Sequence, residues 1–174
     1  LTQILIHILG HLLGSDGLVK PIPRQGVYVK GIYKEDLIEI FQYREMIELF
    51  SIEAGINNIP SLWNTAEEVM SFFEQQLSTE QDQFNHLQVI DADIMLHKLI
   101  VQSTRNQRII EAYSNLNYHV QMARSYYLQD VRRMMDAHLE HKMIFAALLA
   151  GDHARAKQMM KQHLGTTLRN LLKI

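Results

Sequence analysis

The chain contains no cysteine. That removes disulfides and thiolate metal sites together, so any transition metal must be held by imidazole and carboxylate. The absence accords with a reducing compartment, and a cytoplasmic location is expected. Proline is scarce as well: Pro21, Pro23 and Pro60 are the only three in 174 residues, so nothing of that kind interrupts a helix after Pro60. Charge of one sign is not in excess, with 17 Lys and Arg against 19 Asp and Glu. A net charge of −2 gives no overall attraction for nucleic acid, and any DNA contact must come from a local patch. Long hydrophobic runs are missing too. The stretch from Ile4 to Leu13 is broken by His7, Gly10 and His11 and is too short to span a bilayer. No Lys or Arg precedes it and no small-residue cleavage site follows it, so it does not read as a secretory signal. No membrane partner is expected.

What the chain does have is histidine, nine of them, in a sequence that is 47% apolar and 21% charged. The length suits one full domain with a small appendage, and such a domain buries roughly two thirds of its unfolded surface. Glycine and proline crowd residues 14–33, separating the short runs Leu18-Val19-Lys20 and Gly26-Val27-Tyr28-Val29, which predicts a small β-hairpin. Helical periodicity follows. It predicts helices at 34–54, 63–77, 80–102, 106–114, 116–129, 130–150 and 152–172. Gly151 and Asp152 form a natural stop and start, and Ser61 and Thr79 are further candidate caps. The expected fold class is all-α, an antiparallel bundle of six to seven helices preceded by a β-hairpin.

The helix over 80–102 carries the first chemical signal. At ~100° per residue, Asp93 and His97 fall ~40° apart in the middle of a face built from Ile90, Ile94, Ile100 and Val101. An ionised carboxylate there is costly unless it is paired or binds a metal. His141 is flanked in the same way by Met134, Ala137, Ile144, Phe145 and Leu148, and His163 by Ala156, Met159 and Met160. A lone histidine on an apolar face is most often a core residue bonded to a carbonyl. Three on separate helices, with an aspartate at i,i+4, are much harder to satisfy that way. A metal site held by Asp93, His97, His141 and His163 and a hydrogen-bonded core both remain open at this point. His86 and His138 lie near these faces and are candidates for partners of the ligands or for packing.

Enzyme motifs are lacking. The sequence has no His-Glu-x-x-His, no Glu-x-x-His, no glycine-rich phosphate loop and no Gly-x-Ser-x-Gly elbow. Glu140 adjoins His141 but lies ~100° away around the helix, which makes it a weak general base.

In order along the chain, Asp93-Ile94-Met95-Leu96-His97, Glu140-His141, Ala150-Gly151-Asp152 and Gln162-His163-Leu164 resemble the FCD domain, the ligand-binding domain of the FadR branch of GntR regulators. Tyr43-Arg44-Glu45 with Glu48 resembles the family's first-helix Arg-x-x-x-Glu pattern. Ser103 to Asn106 sits where the family has a small residue, glycine and asparagine. Upstream, Asp16-Gly17-Leu18-Val19 and Arg24 to Val29 resemble the wing of the GntR winged helix. Residues 1–31 are thus expected to form an incomplete winged helix, and residues 32–174 an FCD-type metal- and effector-binding domain. The chain departs from the family before the wing. Thr2 to Gly10 has none of the arginines of the recognition helix, and two helices of the motif are missing, as truncation would explain.

The resemblance implies a homodimer, operator DNA as a partner of the intact regulator, and a small carboxylate effector. Three imidazoles and one carboxylate fill four positions on a divalent ion, and an octahedral ion keeps two more for a chelating acid. Zinc is the expected metal, with nickel, iron and manganese as alternatives. Arg44 and Asn106 are the candidate groups for orienting the acid, and an ion pair with Glu48 is the other reading of Arg44. Lys20, Arg24 and Lys30 are the basic residues left for DNA, enough for weak attraction without sequence choice. No enzymatic activity is expected. The competing readings are a purely structural metal site and a metal-dependent hydrolase.

Overall fold

The structure is a computed structural model that describes residues 19–22, 26–29, 33–78, 85–116 and 131–173, with the backbone alone for the first two segments and for Val131. Strands β1 (Val19–Ile22) and β2 (Gly26–Val29) pair antiparallel, Val19 opposite Val29 and Ile22 opposite Gly26. This is the hairpin that the turn residues predict.

The bundle begins with α1 (Lys34–Gly55), whose first turn carries Glu35 and Asp36 against the positive end of the helix dipole. A 3-10 segment, Ile56–Leu62, accommodates Pro60 and leads into α2 (Trp63–Leu77). Helix α3 (His86–Gln102) follows, then α4 over residues 107–116, α5 (Val131–Leu149) and α6 (His153–Leu171). The turn between α5 and α6 is the stop and start expected of its sequence. Gly151 takes a φ of 68°, and Asp152 caps α6 by accepting from the Arg155 amide.

Some boundaries differ from expectation. Helix α3 starts at His86 rather than residue 80, because the Asn85 side chain accepts from the amides of Leu87 and Gln88 and caps the helix there. Ser61 does not cap α2; its hydroxyl donates to the Asn58 carbonyl, and Leu62 stands at the cap without a side-chain bond. Helix α4 runs on through residues 115 and 116, where a break was expected. Thr79 and the remainder of the expected helix at 116–129 lie outside the described residues.

Packing closes a ring in which α1 touches α3 and α6, α6 touches α5, and α2 joins α5 back to α3. Its interior holds Phe41, Ile52, Leu96, Leu99, Ile144, Phe145, Met160 and Leu164. The ends of α1 and α3 meet closely: a Cβ on Gly55 would fall 2.0 Å from the Ser103 hydroxyl, and Asn58 donates to the Ser103 carbonyl at 2.7 Å. Among the described residues no helix is long and apolar enough to cross a membrane.

Candidate metal centre

Helix α3 contributes Asp93 and His97 to the ring's interior, α5 contributes His141 and α6 contributes His163, and all four are buried. One ligand atom from each lies within 4.8 Å of every other. His97 Nε2 is 3.2 Å from His163 Nε2 and 3.3 Å from His141 Nε2. Asp93 places its two carboxylate oxygens 3.9 Å from His97 Nε2 and 3.5 Å from His141 Nε2. Two nitrogens each ~2.1 Å from one ion stand about 3–3.5 Å apart at adjacent positions and at most about 4.2 Å apart. Separations of 3.2, 3.3 and 3.5 Å fit adjacent positions, and the wider pairs, none beyond 4.8 Å, need to close by no more than about 0.6 Å to come within reach of one ion.

The outer hydrogen bonds sharpen the case. His97 Nδ1 is 2.6 Å from Glu48 Oε2, and His163 Nδ1 is 2.6 Å from Glu140 Oε2. An ionised carboxylate can only accept, so each Nδ1 carries a proton, and with both rings neutral each presents a lone pair at Nε2. The 3.2 Å approach of His97 Nε2 to His163 Nε2 is then two lone pairs facing each other. A cation between them resolves that repulsion, and the donor set suits a borderline divalent ion.

The carboxylates are themselves held. Glu48, fully buried, accepts from Arg44 Nε at 2.9 Å and from the Tyr113 hydroxyl at 2.7 Å. Burial pushes its carboxyl up, but Arg44, His97 and Tyr113 outweigh that and hold it well below the usual carboxylate range. Burial also lowers His97, against the opposing pull of Glu48, which favours the neutral, ligating ring. Burial raises Tyr113 well above its ordinary value, so it stays a donor. Glu140 is held at 3.2 and 3.0 Å by Arg133, which also donates to Thr167 on α6.

The structure therefore brings the four expected ligands together. Arg44 connects to them through Glu48, so its expected ion pair is present; its Nη1 is buried with no hydrogen-bond partner. Asn106 is exposed, and its side-chain oxygen accepts from the amides of Arg108 and Ile109 at the start of α4. Lys20 lies in β1 opposite Tyr28, while Arg24 and Lys30 lie outside the described residues. The rings of His97 and His163 are held by glutamates, and His138 stacks on Phe73, centroids 4.9 Å apart. Glu140 was placed away from the site by the helical wheel and corrects that expectation. For Glu48 a signal existed: Leu37, Phe41, Arg44, Glu48 and Ile52 share one buried face.

A helical bundle closed around three buried imidazoles and a carboxylate is the class that fold and site define. The chain matches the FCD domain family over residues 39–166 and belongs to it, the helical domain of GntR-type transcription regulators. It is 25% identical over 157 residues to the uncharacterized HTH-type transcriptional regulator YdhC of Bacillus subtilis (strain 168), covering 87% of this chain and 67% of that protein. The fold is similar to that of E. coli McbR/YncC, with a TM-score of 0.81 at 17% identity over 94% of this chain and 81% of that one. The Zn2+-bound FCD domain of TM0439 matches with a TM-score of 0.62 at 21% identity, over 83% of this chain and 96% of that one. The family and its relatives are regulators of transcription and not enzymes, which removes the hydrolase reading.

Proposed function

We propose that this chain is the effector-sensing, metal-binding domain of a GntR/FadR-type regulator, that its four ligands hold one divalent transition metal, and that a small organic acid is the signal. Zinc is the first choice, supported by the nitrogen-rich donor set and by the zinc-bound FCD domain of TM0439. The observation that carries the reading is one of charge. A divalent ion balanced by Asp93 alone leaves a net positive centre inside the bundle, and buried positive charge recruits an anion. Arg44, with a buried Nη1 that has no partner, and Asn106 are the groups assigned to the acid's far end. The intact regulator acts as a homodimer in the cytoplasm, with operator DNA as its partner, and acid binding shifts the balance between two arrangements of the bundle.

A second reading has its own support: all four ligand side chains are buried, which suits a closed, structural ion. Calorimetry separates the two. Zinc-loaded and metal-free protein are titrated with the same panel of di- and tricarboxylic acids. The sensing reading expects about one metal per chain and an acid affinity that falls at least tenfold without it, roughly 1.4 kcal/mol or more. Equal acid affinity with and without metal would make the ion structural.

A further inference from the structure

We propose that Glu140 and Glu48 are positioning residues of the metal centre, each held by its own arginine, and that these two Arg–Glu–His relays turn the rings of His163 and His97 toward the ion without adding charge to it. The inference rests on the metal reading above and extends it to residues outside the ligand set.

The two relays are built alike from different parts of the fold. On α1, Arg44 donates to Glu48, which accepts from Nδ1–H of His97 on α3. On α5, Arg133 donates to Glu140, which accepts from Nδ1–H of His163 on α6. In both, the carboxylate-to-imidazole distance is 2.6 Å, the short range of a charge-assisted bond. An imidazole has two ring positions for its proton and can flip about its last side-chain bond. Only the Nδ1–H form, with Nε2 turned inward, presents a lone pair to the centre. A carboxylate at Nδ1 selects that form and that orientation before any metal arrives.

The arginines explain why two extra carboxylates can stand beside the centre. Taken alone, Glu48 and Glu140 would add two negative charges to a site that already has Asp93, and a divalent ion there would end with a net charge of −1. Each is instead paired with a guanidinium, Glu48 at 2.9 Å and Glu140 at 3.0 Å. The relays therefore position the rings while leaving the ion and Asp93 to set the charge an incoming anion meets.

The test uses Glu140, whose side chain is 31% exposed where that of Glu48 is fully buried, so that its replacement disturbs the core less. Zinc affinity of the whole chain is measured by competition with a chromophoric chelator, and the proton position on His163 by nitrogen NMR of the metal-free protein. Glu140→Ala is expected to weaken zinc binding about 10–100-fold and to leave His163 as a mixture of tautomers. Glu140→Gln, which keeps the shape and an acceptor, loses less and still reports if the alanine variant does not fold. Thr167→Val removes only the far tie of Arg133 and serves as the control. It should lower stability slightly and leave zinc affinity within about twofold of the unaltered chain. Zinc affinity within about twofold in Glu140→Ala, with His163 still in one tautomer, would overturn the proposal alone. An unaltered chain that takes up no zinc would overturn the metal reading itself.

Discussion

A buried carboxylate carries a desolvation cost of several kcal/mol, and Glu48 is tolerated in the core because Arg44, Tyr113 and His97 all converge on it. His138 shows the opposite solution, a buried imidazole kept neutral. Both of its ring nitrogens lack hydrogen-bond partners, and burial, reinforced by Lys142 and opposed by Glu74, pushes its pKa below the ordinary histidine value. A depressed value in the fold means that the unfolded chain takes up the proton first. His138 thus contributes fully above the unfolded value of about 6.5, and that contribution is lost as pH falls through it toward the folded value. His138→Phe keeps a ring on Phe73 and removes the titration. In metal-free protein the denaturant midpoint of the unaltered chain should drop more between about pH 7.5 and about pH 5.5 than that of the variant. Parallel slopes for the two would show that His138 is not the group responsible.

At the scale of elements, the bundle depends on close joints as much as on apolar faces. Helix α1 ends on Gly55 where Ser103 follows the end of α3, and a side chain on Gly55 would meet not only the Ser103 hydroxyl but its carbonyl carbon at 2.7 Å. Backbone cannot step aside as a flexible side chain can. Gly55→Ala is therefore expected to separate the two helix ends and cost about 1–3 kcal/mol, read from chemical denaturation. A loss below about 0.5 kcal/mol would mean that the joint relaxes freely. The same joint carries the bond from Asn58 to the Ser103 carbonyl, so its loosening falls at the cap of α3, between one and two turns beyond His97.

At the scale of the molecule, the apolar core and the polar centre make separable contributions. The core residues between the helices need no ion to remain packed, so metal-free protein should keep its helical circular-dichroism signal. An ion held by the four residues would link α3, α5 and α6 only in the folded state, and at a thousandfold excess over its dissociation constant would add about 4 kcal/mol. For a chain of this size that is roughly 8–16 °C in melting temperature. A chelator should remove that increment from the unaltered chain and leave His141→Ala, His163→Ala unchanged. Equal melting curves with and without chelator in the unaltered chain would show that the four residues hold no ion.

Much of this protein was legible from local rules. A period of 3.6 residues is a property of the helix itself, so Asp93, His97, His141 and His163 fall on buried faces wherever those helices go. The turn at Gly151 and Asp152 and the hairpin strands follow in the same way from backbone preferences of single residues. Where helices start was less legible, because Asn85 competes with earlier positions for the cap and its own amide bonds decide the matter. The outer half of the centre was decided only by packing. A helical wheel records the direction of a Cβ and not the reach of a side chain. Glu140 leaves α5 on another bearing from His141, yet α6 lies near enough for its carboxylate to accept from Nδ1–H of His163. Which carboxylate meets which ring depends on the distance between helices, and that distance is set by every contact in the core at once.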